Sequence, residues 1–393
     1  MIAASAEQPS VDAEAPPQPR TERLRSLDVF RGVTIAAMIL VNDAGDWDKT
    51  YRPLLHAEWN GWTPTDLVFP FFLFAVGVAI PYAFAGRLAR SGGDRGPLHR
   101  QIVRRTLLLF ALGLFLNWFP FFSVTWSSAR IPGVLQRIAI VYFFTALAWL
   151  HLKPWQRASL FLALLVGYWL AMVLVPVPGH GAGDLSPDGN LAAWIDHLLL
   201  GHHTWRKAPG PGDPEGILST VPAIATALFG LEIGEWLRSP RTPPRRKPLA
   251  FLSVGVGYMF IGHDLARWFP INKNLWTSSY VLFTAGAALA LLGAVYYAVD
   301  IKRWDRWARP FTVFGTNAIF AFFGSTLMAK IMYLIRWPAG AGETVMLQTW
   351  LYRRLFDSWL PDYVASLAWA LMFVAIWWGL TAILYRRRIF LKI

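Results

Sequence analysis

Apolar runs near the ~20 residues that a helix needs to cross ~30 Å of hydrocarbon recur along nearly the whole chain. Inside hydrocarbon every backbone amide must be bonded within its own segment, so helices are the default. A pair of soluble domains is excluded by a 393-residue sequence that is 55% hydrophobic, only 16% charged, and carries 21 Trp and 27 Phe. The runs predict an all-α polytopic membrane protein of about ten transmembrane helices, near 27–42, 64–85, 103–122, 132–150, 158–176, 216–237, 248–269, 275–299, 310–335 and 363–385. Residues 346–360 are apolar but interrupted by Arg353, Arg354 and Asp357, which predicts an interfacial amphipathic helix; an eleventh, partly re-entrant element is the alternative.

Basic residues orient these spans. With the N-terminus inside, the cytoplasmic segments collect 24 of the 37 Lys and Arg; ten lie on the other side, and Arg31, Arg137 and Lys330 lie within spans. Both termini are therefore expected on the cytoplasmic side, with loops 43–63 and 177–214 on the opposite, periplasmic face. The net charge of +13 is then a topology signal and calls for no nucleic acid. Residues 1–22, rich in Ala, Pro, Glu and Gln, read as a disordered cytoplasmic tail without the apolar run of a signal peptide, leaving 23–393 as the membrane domain. Zero cysteines exclude disulfides, thiolate metal sites and a thiol nucleophile. No internal repeat is visible, which weighs against an inverted-repeat transporter. Lipid is the expected surrounding, and a homodimer is an open option.

The polar residues sort into two faces. The outer set includes Asn42, His56, Trp59, Asn60, Asp66, Arg130, Arg137, Asp213, Glu215, Asn272, Lys273, Asn274 and Trp276. Such a mixture of carboxylates, amides and indoles suits a sugar. The inner set holds Asp28, Arg31, Arg104, Arg105, Asn317 and the Arg386–Arg387–Arg388 run, and guanidinium groups suit phosphate. The C-terminal arginines have a plainer reading as a positive-inside anchor. Arg31 lies in the first span, where a charge is costly, and Asp28 three residues earlier is a natural partner; structural pairing and donor binding both fit. Lys330 could snorkel outward or neutralise a buried carboxylate.

An outer-loop histidine is usually a solvated side chain. His56 differs because Trp59 and Trp62 can hold its loop at the interface and Asp66 begins the following helix as an orienting carboxylate. His197, His202 and His203 lack the spacing and third ligand of a metal site, and no metal is expected. His263-Asp264 reads as a structural pair.

The segments SLDVFRG (26–32), HAEWNGWTPTDLVFPFFLF (56–74), RIPGVLQR (130–137), Asp213-Pro-Glu-Gly216, NKNLWTSS (272–279) and YRRRIFLKI (385–393) together resemble the heparan-α-glucosaminide N-acetyltransferase family over about residues 23–393. The resemblance implies a multi-span enzyme that takes acetyl-CoA from the cytosol and acetylates the amine of a glucosamine on the far side. The family's active-site histidine falls on His56 and its outer-end asparagine on Asn42. Bacterial relatives are also labelled N-acetylglucosamine-related transporters. The opening LDVFRG is similar as well to the broader acyltransferase-3 group, in which a histidine stands about eleven positions after the arginine; here that position is Asn42.

On this reading Arg31, Arg104 or Arg105, and Arg386, Arg387 and Arg388 hold the donor's phosphates. Trp59, Asn60, Arg137, Glu215, Asn274 and Trp276 hold the amino sugar. His56 removes the amine proton, Asp66 orients the ring, and Asn42 donates to the thioester oxygen. Direct transfer and an acetyl-imidazole route both remain open. The rival class is an inner-membrane amino-sugar transporter, which needs no acyl-CoA site.

Overall fold

A computed structural model describes residues 24–340 and 343–391. The tail expected over 1–22 lies outside the described residues. The described residues are mostly helical: α1 (Arg25–Asn42), α2 (Pro64–Arg90), α3 (Gly96–Trp118), α4 (Val134–His151), α5 (Pro154–Leu174), α6 (Leu191–Leu200), α7 (Ile217–Arg238), α8 (Lys247–Leu265), α9 (Ser278–Tyr296), α10 (Arg309–Thr316) and α11 (Ala318–Leu334). A short antiparallel hairpin, β1 (Arg336–Gly340) and β2 (Glu343–Met346), precedes α12 (Leu347–Tyr352) and α13 (Asp362–Arg386).

Among the described residues, seven helices are long and apolar enough to cross a bilayer: α2, α4, α5, α7, α8, α9 and α13. The pair α10–α11 makes an eighth if it is one span, although it bends by 82° at Asn317. This is an all-α, multi-pass membrane architecture. Helices α1 and α3, at 18 and 23 residues, are also of spanning length, but Arg25, Asp28 and Arg31 in one and Arg100, Arg104 and Arg105 in the other dilute their apolar character.

α2 and α7 are the most enclosed of the spans, and α5 and α8 present most of their surface outward. Burial of Ile35, Met38, Phe69, Phe72, Leu135, Tyr280, Phe322 and Trp369 in one cluster joins α1, α2, α4, α9, α11 and α13. Lys330 reaches the Phe119 carbonyl at 3.4 Å, so the anomalous intramembrane lysine ends on a backbone oxygen of the loop after α3.

Residues 346–360 form α12 and a wider π-type turn over Arg353–Asp357, too short to span. The expected span 310–335 is instead broken. Its cause is tertiary: a Cβ on Gly315 would lie 1.8 Å from the Asp28 carbonyl oxygen, and one on Gly32 would lie 1.7 Å from that of Phe311, so α1 and α10 meet backbone to backbone. Beyond the break Asn317, 1% exposed, donates to the Ile389 carbonyl (3.1 Å) and accepts the Leu391 amide (3.0 Å). Ser26 and Arg25 reach Asp300 (3.1 Å) and Asp305 (2.8 Å) at the opening of the chain. The first and last described segments therefore lie at one end of the bundle.

Gly315→Ala is expected to cost about 1–3 kcal/mol, the usual range for overpacking, because backbone rather than a side chain must give way. Gly257→Ala on α8, where nothing lies within 4 Å, should leave the thermal midpoint in detergent nearly unchanged. Equal midpoints for the two variants would contradict the backbone contact.

Candidate active site

The start of α2 creates the site. Thr63 is its N-cap, and Asp66, three residues on, accepts a hydrogen bond from the Thr63 amide (2.9 Å), closing a capping box. The Thr63 hydroxyl also reaches the Leu55 carbonyl at 2.6 Å, folding loop 52–63 over the helix end. Asp66 is 1% exposed. One oxygen, Oδ2, accepts the amides of Ala57 (3.0 Å) and Thr63; the other, Oδ1, meets His56 Nδ1 at 2.6 Å. An ionised carboxylate only accepts, so the ring proton belongs on Nδ1 and the lone pair on Nε2. The His56 side chain is 47% exposed, so the ring stands at the protein surface.

A third group completes the cluster. Lys273 places Nζ 3.1 Å from His56 Nδ1 and 3.0 Å from Nε2, and 4.0 Å from Asp66 Oδ1. Its side chain is 19% exposed. Burial draws the Lys273 ammonium below the ordinary lysine value against the opposing pull of Asp66 and Glu215. The loop carrying it is tied down on both flanks. Asn272, fully buried, donates to Asn60 (3.2 Å) and accepts from Leu275 (2.9 Å), while the Gly61 amide meets the Ile271 carbonyl at 2.8 Å.

The expected sugar-binding residues divide. Trp59 and Asn274 line one cleft with Asn190, Asp196 and Asp213, and the Trp59 indole donates to the Leu185 carbonyl at 2.9 Å. Asn60 is exposed but committed to Asn272. Trp276 is 1% exposed, with its backbone in the left-handed region (φ 53°) and its indole bonded to Thr226 (3.1 Å). It packs edge-on against Phe69 and Tyr280, inside the core rather than on the cleft wall.

Arg137, also 1% exposed, stacks 5.0 Å over the Trp276 ring and donates to Ser219, Thr220 and the Gly216 carbonyl. Glu215 joins Arg130 at 2.5 Å, and Arg130 also grips Asp213 through two bonds of 2.8 and 2.6 Å. Burial works to raise the Glu215 carboxyl, but Arg130, Arg137 and Lys273 together hold it below the usual carboxylate range. Asp196 accepts the Asp213 and Ile217 amides (3.1 and 2.8 Å) and is pushed up to about 6 by burial.

Asn42 is exposed in the last turn of α1; among the described residues no hydrogen bond joins it to His56. At the other end of the bundle, Arg31 is half-buried on α1, and Arg386, Arg387 and Arg388 are exposed where α13 turns back toward Asn317. Arg104 is exposed, whereas the Arg105 guanidinium lies 4.5 Å over the Tyr142 ring on α4. Asp264 pairs with Arg267 (3.2 Å), and His203 bonds the Ala129 carbonyl (2.7 Å). Among the described residues no group of three or more His, Asp or Glu could hold a metal ion.

Sequence reasoning placed Lys273 and Arg130 in the outer polar set that suits a sugar but gave neither an individual role. The available signal was sidedness: each is a basic residue in an outer loop, against the inward bias of the rest.

A family model described as a domain of unknown function (DUF5009) matches residues 23–186. The chain is 30% identical to human heparan-alpha-glucosaminide N-acetyltransferase over 94% of its own length and 60% of that protein. It is 28% identical to the mouse protein of the same name, over 96% of its own length and 62% of the relative. The chain thus spans about 60% of the length of these curated relatives. The chain is therefore similar to heparan-alpha-glucosaminide N-acetyltransferases over nearly all of its own length.

Proposed function

We propose that residues 23–393 form a transferase that moves acetyl from cytoplasmic acetyl-CoA to the amine of a glucosamine-type sugar at the periplasmic face of a bacterial inner membrane. The observation that carries this reading is the buried Asp66 holding Nδ1 of an exposed imidazole, which assigns the lone pair of a base to Nε2. The similarity to enzymes named for this chemistry supports it.

A protonated amine cannot attack a thioester. His56 Nε2 accepts its proton, and Asp66 steadies the charged ring as the third group of the constellation. The amine nitrogen then bonds to the carbonyl carbon; as the adduct collapses, the C–S electron pair leaves with coenzyme A, the proton held by His56 passes to the departing thiolate, and the freed Nε2 takes the surplus proton from the nitrogen, leaving a neutral amide. Asn42, exposed at the same end of α1, is the amide available to the thioester oxygen. Trp59, Asn274 and Glu215 face or flank the cleft and would read the sugar. Arg31 and the Arg386–Arg388 run, at the opposite end, would hold donor phosphates.

Adding α1 and α3 to the eight apolar spans gives ten crossings, an even number in keeping with both ends of the described chain at one end of the bundle. The inward bias of basic residues makes that end cytoplasmic. With no native cysteine, Ser239→Cys after α7 offers a unique label. It should react with a membrane-impermeant maleimide only in inside-out vesicles; labelling in intact spheroplasts would invert the topology.

Purified protein in detergent, given labelled acetyl-CoA and glucosamine, should yield N-acetylglucosamine. Absence of product with efficient carriage of glucosamine into vesicles would favour a transporter instead.

A further inference from the structure

We propose that Lys273 is a catalytic residue of this site, its ammonium stabilising the negative charge that develops on the thioester oxygen as the acetyl group leaves coenzyme A. The inference rests on the acetyltransferase reading and assigns a residue for which that reading had no role.

Its basis is distance. A base must lie within about 2.6–3.2 Å of the nitrogen whose proton it removes. Lys273 Nζ already occupies that shell, 3.0 Å from His56 Nε2. The carbon under attack bonds to the acceptor nitrogen, and the thioester oxygen is one bond further on. Any amine poised against Nε2 therefore brings that oxygen within a few ångströms of Nζ. An ammonium nearly equidistant from the two ring nitrogens is not aligned on one lone pair, so rotation about its terminal bonds can exchange Nε2 for the oxygen as the acceptor enters.

The surroundings favour a fixed charge there. At 19% exposure the ammonium is poorly screened, which strengthens its effect on an adjacent oxyanion. Asp66 at 4.0 Å and the nearby Glu215 counter the burial that draws its pKa down. The buried Arg137 nearby is held by Nε and Nη2 on Ser219, Thr220 and the Gly216 carbonyl and stacks on Trp276.

A purely structural role explains less. The loop is already held by Asn272 to Asn60 and Leu275, by Gly61 to Ile271, and by Thr277 to Pro270 (2.8 Å), none of which uses the lysine amine. In the proposed step the acceptor loses its proton to His56 and the C–S bond breaks as the N–C bond forms. Lys273 keeps its own protons throughout.

The test compares Lys273→Met, Lys273→Gln and Lys273→Arg with wild type in detergent, using acetyl-CoA and glucosamine. Loss of one preorganised oxyanion donor costs about 10²–10³ in kcat. Both neutral variants should fall by that factor with KM for either substrate changed less than about threefold, and Arg, which keeps the charge, should stay within about tenfold of wild type. A neutral variant with kcat within about threefold of wild type overturns the proposal while leaving the transferase reading intact. So does an Arg variant that falls as far as Met, with KM raised alongside, since that pattern marks a structural role. A wild type with no transfer overturns both.

Discussion

His56→Ala is expected to lower kcat for acetyl transfer by about 10²–10⁴, the usual contribution of a general base, with acetyl-CoA affinity unchanged. The expectation follows from geometry. Asp66 is buried and its two oxygens are filled by Ala57, Thr63 and His56, so it serves as an orienter and not as the base. The imidazole, held through Nδ1, keeps its lone pair on Nε2. Donor affinity is best measured directly, because KM equals a dissociation constant only when chemistry is slow. Retention of more than about a tenth of wild-type kcat would remove His56 from the base role. Loss of acetyl-CoA binding in this variant would instead place the donor against the ring.

Asp213→Ala is expected to destabilise the protein by about 3–5 kcal/mol, the range for removing one partner of a buried ion pair. The Asp213 side chain is 0% exposed, and its partner Arg130 is 21% exposed. Removing the carboxylate strips Arg130 of two hydrogen bonds and leaves the amides of Trp205 (2.8 Å) and Glu215 (2.9 Å) without their acceptor. Glu215 remains as a counter-charge, so the loss should sit toward the lower end of that range. Reversible denaturation or thermal midpoints in detergent would measure it. A loss below about 1 kcal/mol, typical of exposed pairs, would mean that the network is solvated.

The spans were legible because length and apolarity act locally, and a helix is the one answer hydrocarbon allows to a lone segment. The break at Asn317 was not. The run from 310 to 335 is apolar enough to read as one span despite Asn317 and Lys330, and what divides it lies elsewhere in the chain: the Asp28 carbonyl against Gly315, and residues 389 and 391 on the Asn317 amide. The hairpin of β1 and β2 was equally hidden, since it falls between the expected span 310–335 and the amphipathic stretch 346–360. Within the site, the His56–Asp66 pair could be anticipated because ten residues and a capping box separate its members. Lys273 meets His56 across 217 residues, and Arg130 meets Glu215 across 85, separations that no local pattern encodes. Trp276 was expected on a binding surface because tryptophan suits sugars, yet its left-handed backbone and its bond to Thr226 turn it inward, where Arg137 stacks on it.

The division of the two substrates between opposite faces is tested most directly in sealed proteoliposomes of known orientation. Labelled acetyl-CoA would be supplied only at the face bearing Arg386–Arg388, and glucosamine only at the face bearing His56. Labelled N-acetylglucosamine should then appear in the glucosamine compartment and be absent with His56→Ala protein. Unlabelled glucosamine crossing to the other compartment with no acetylated product would contradict the account.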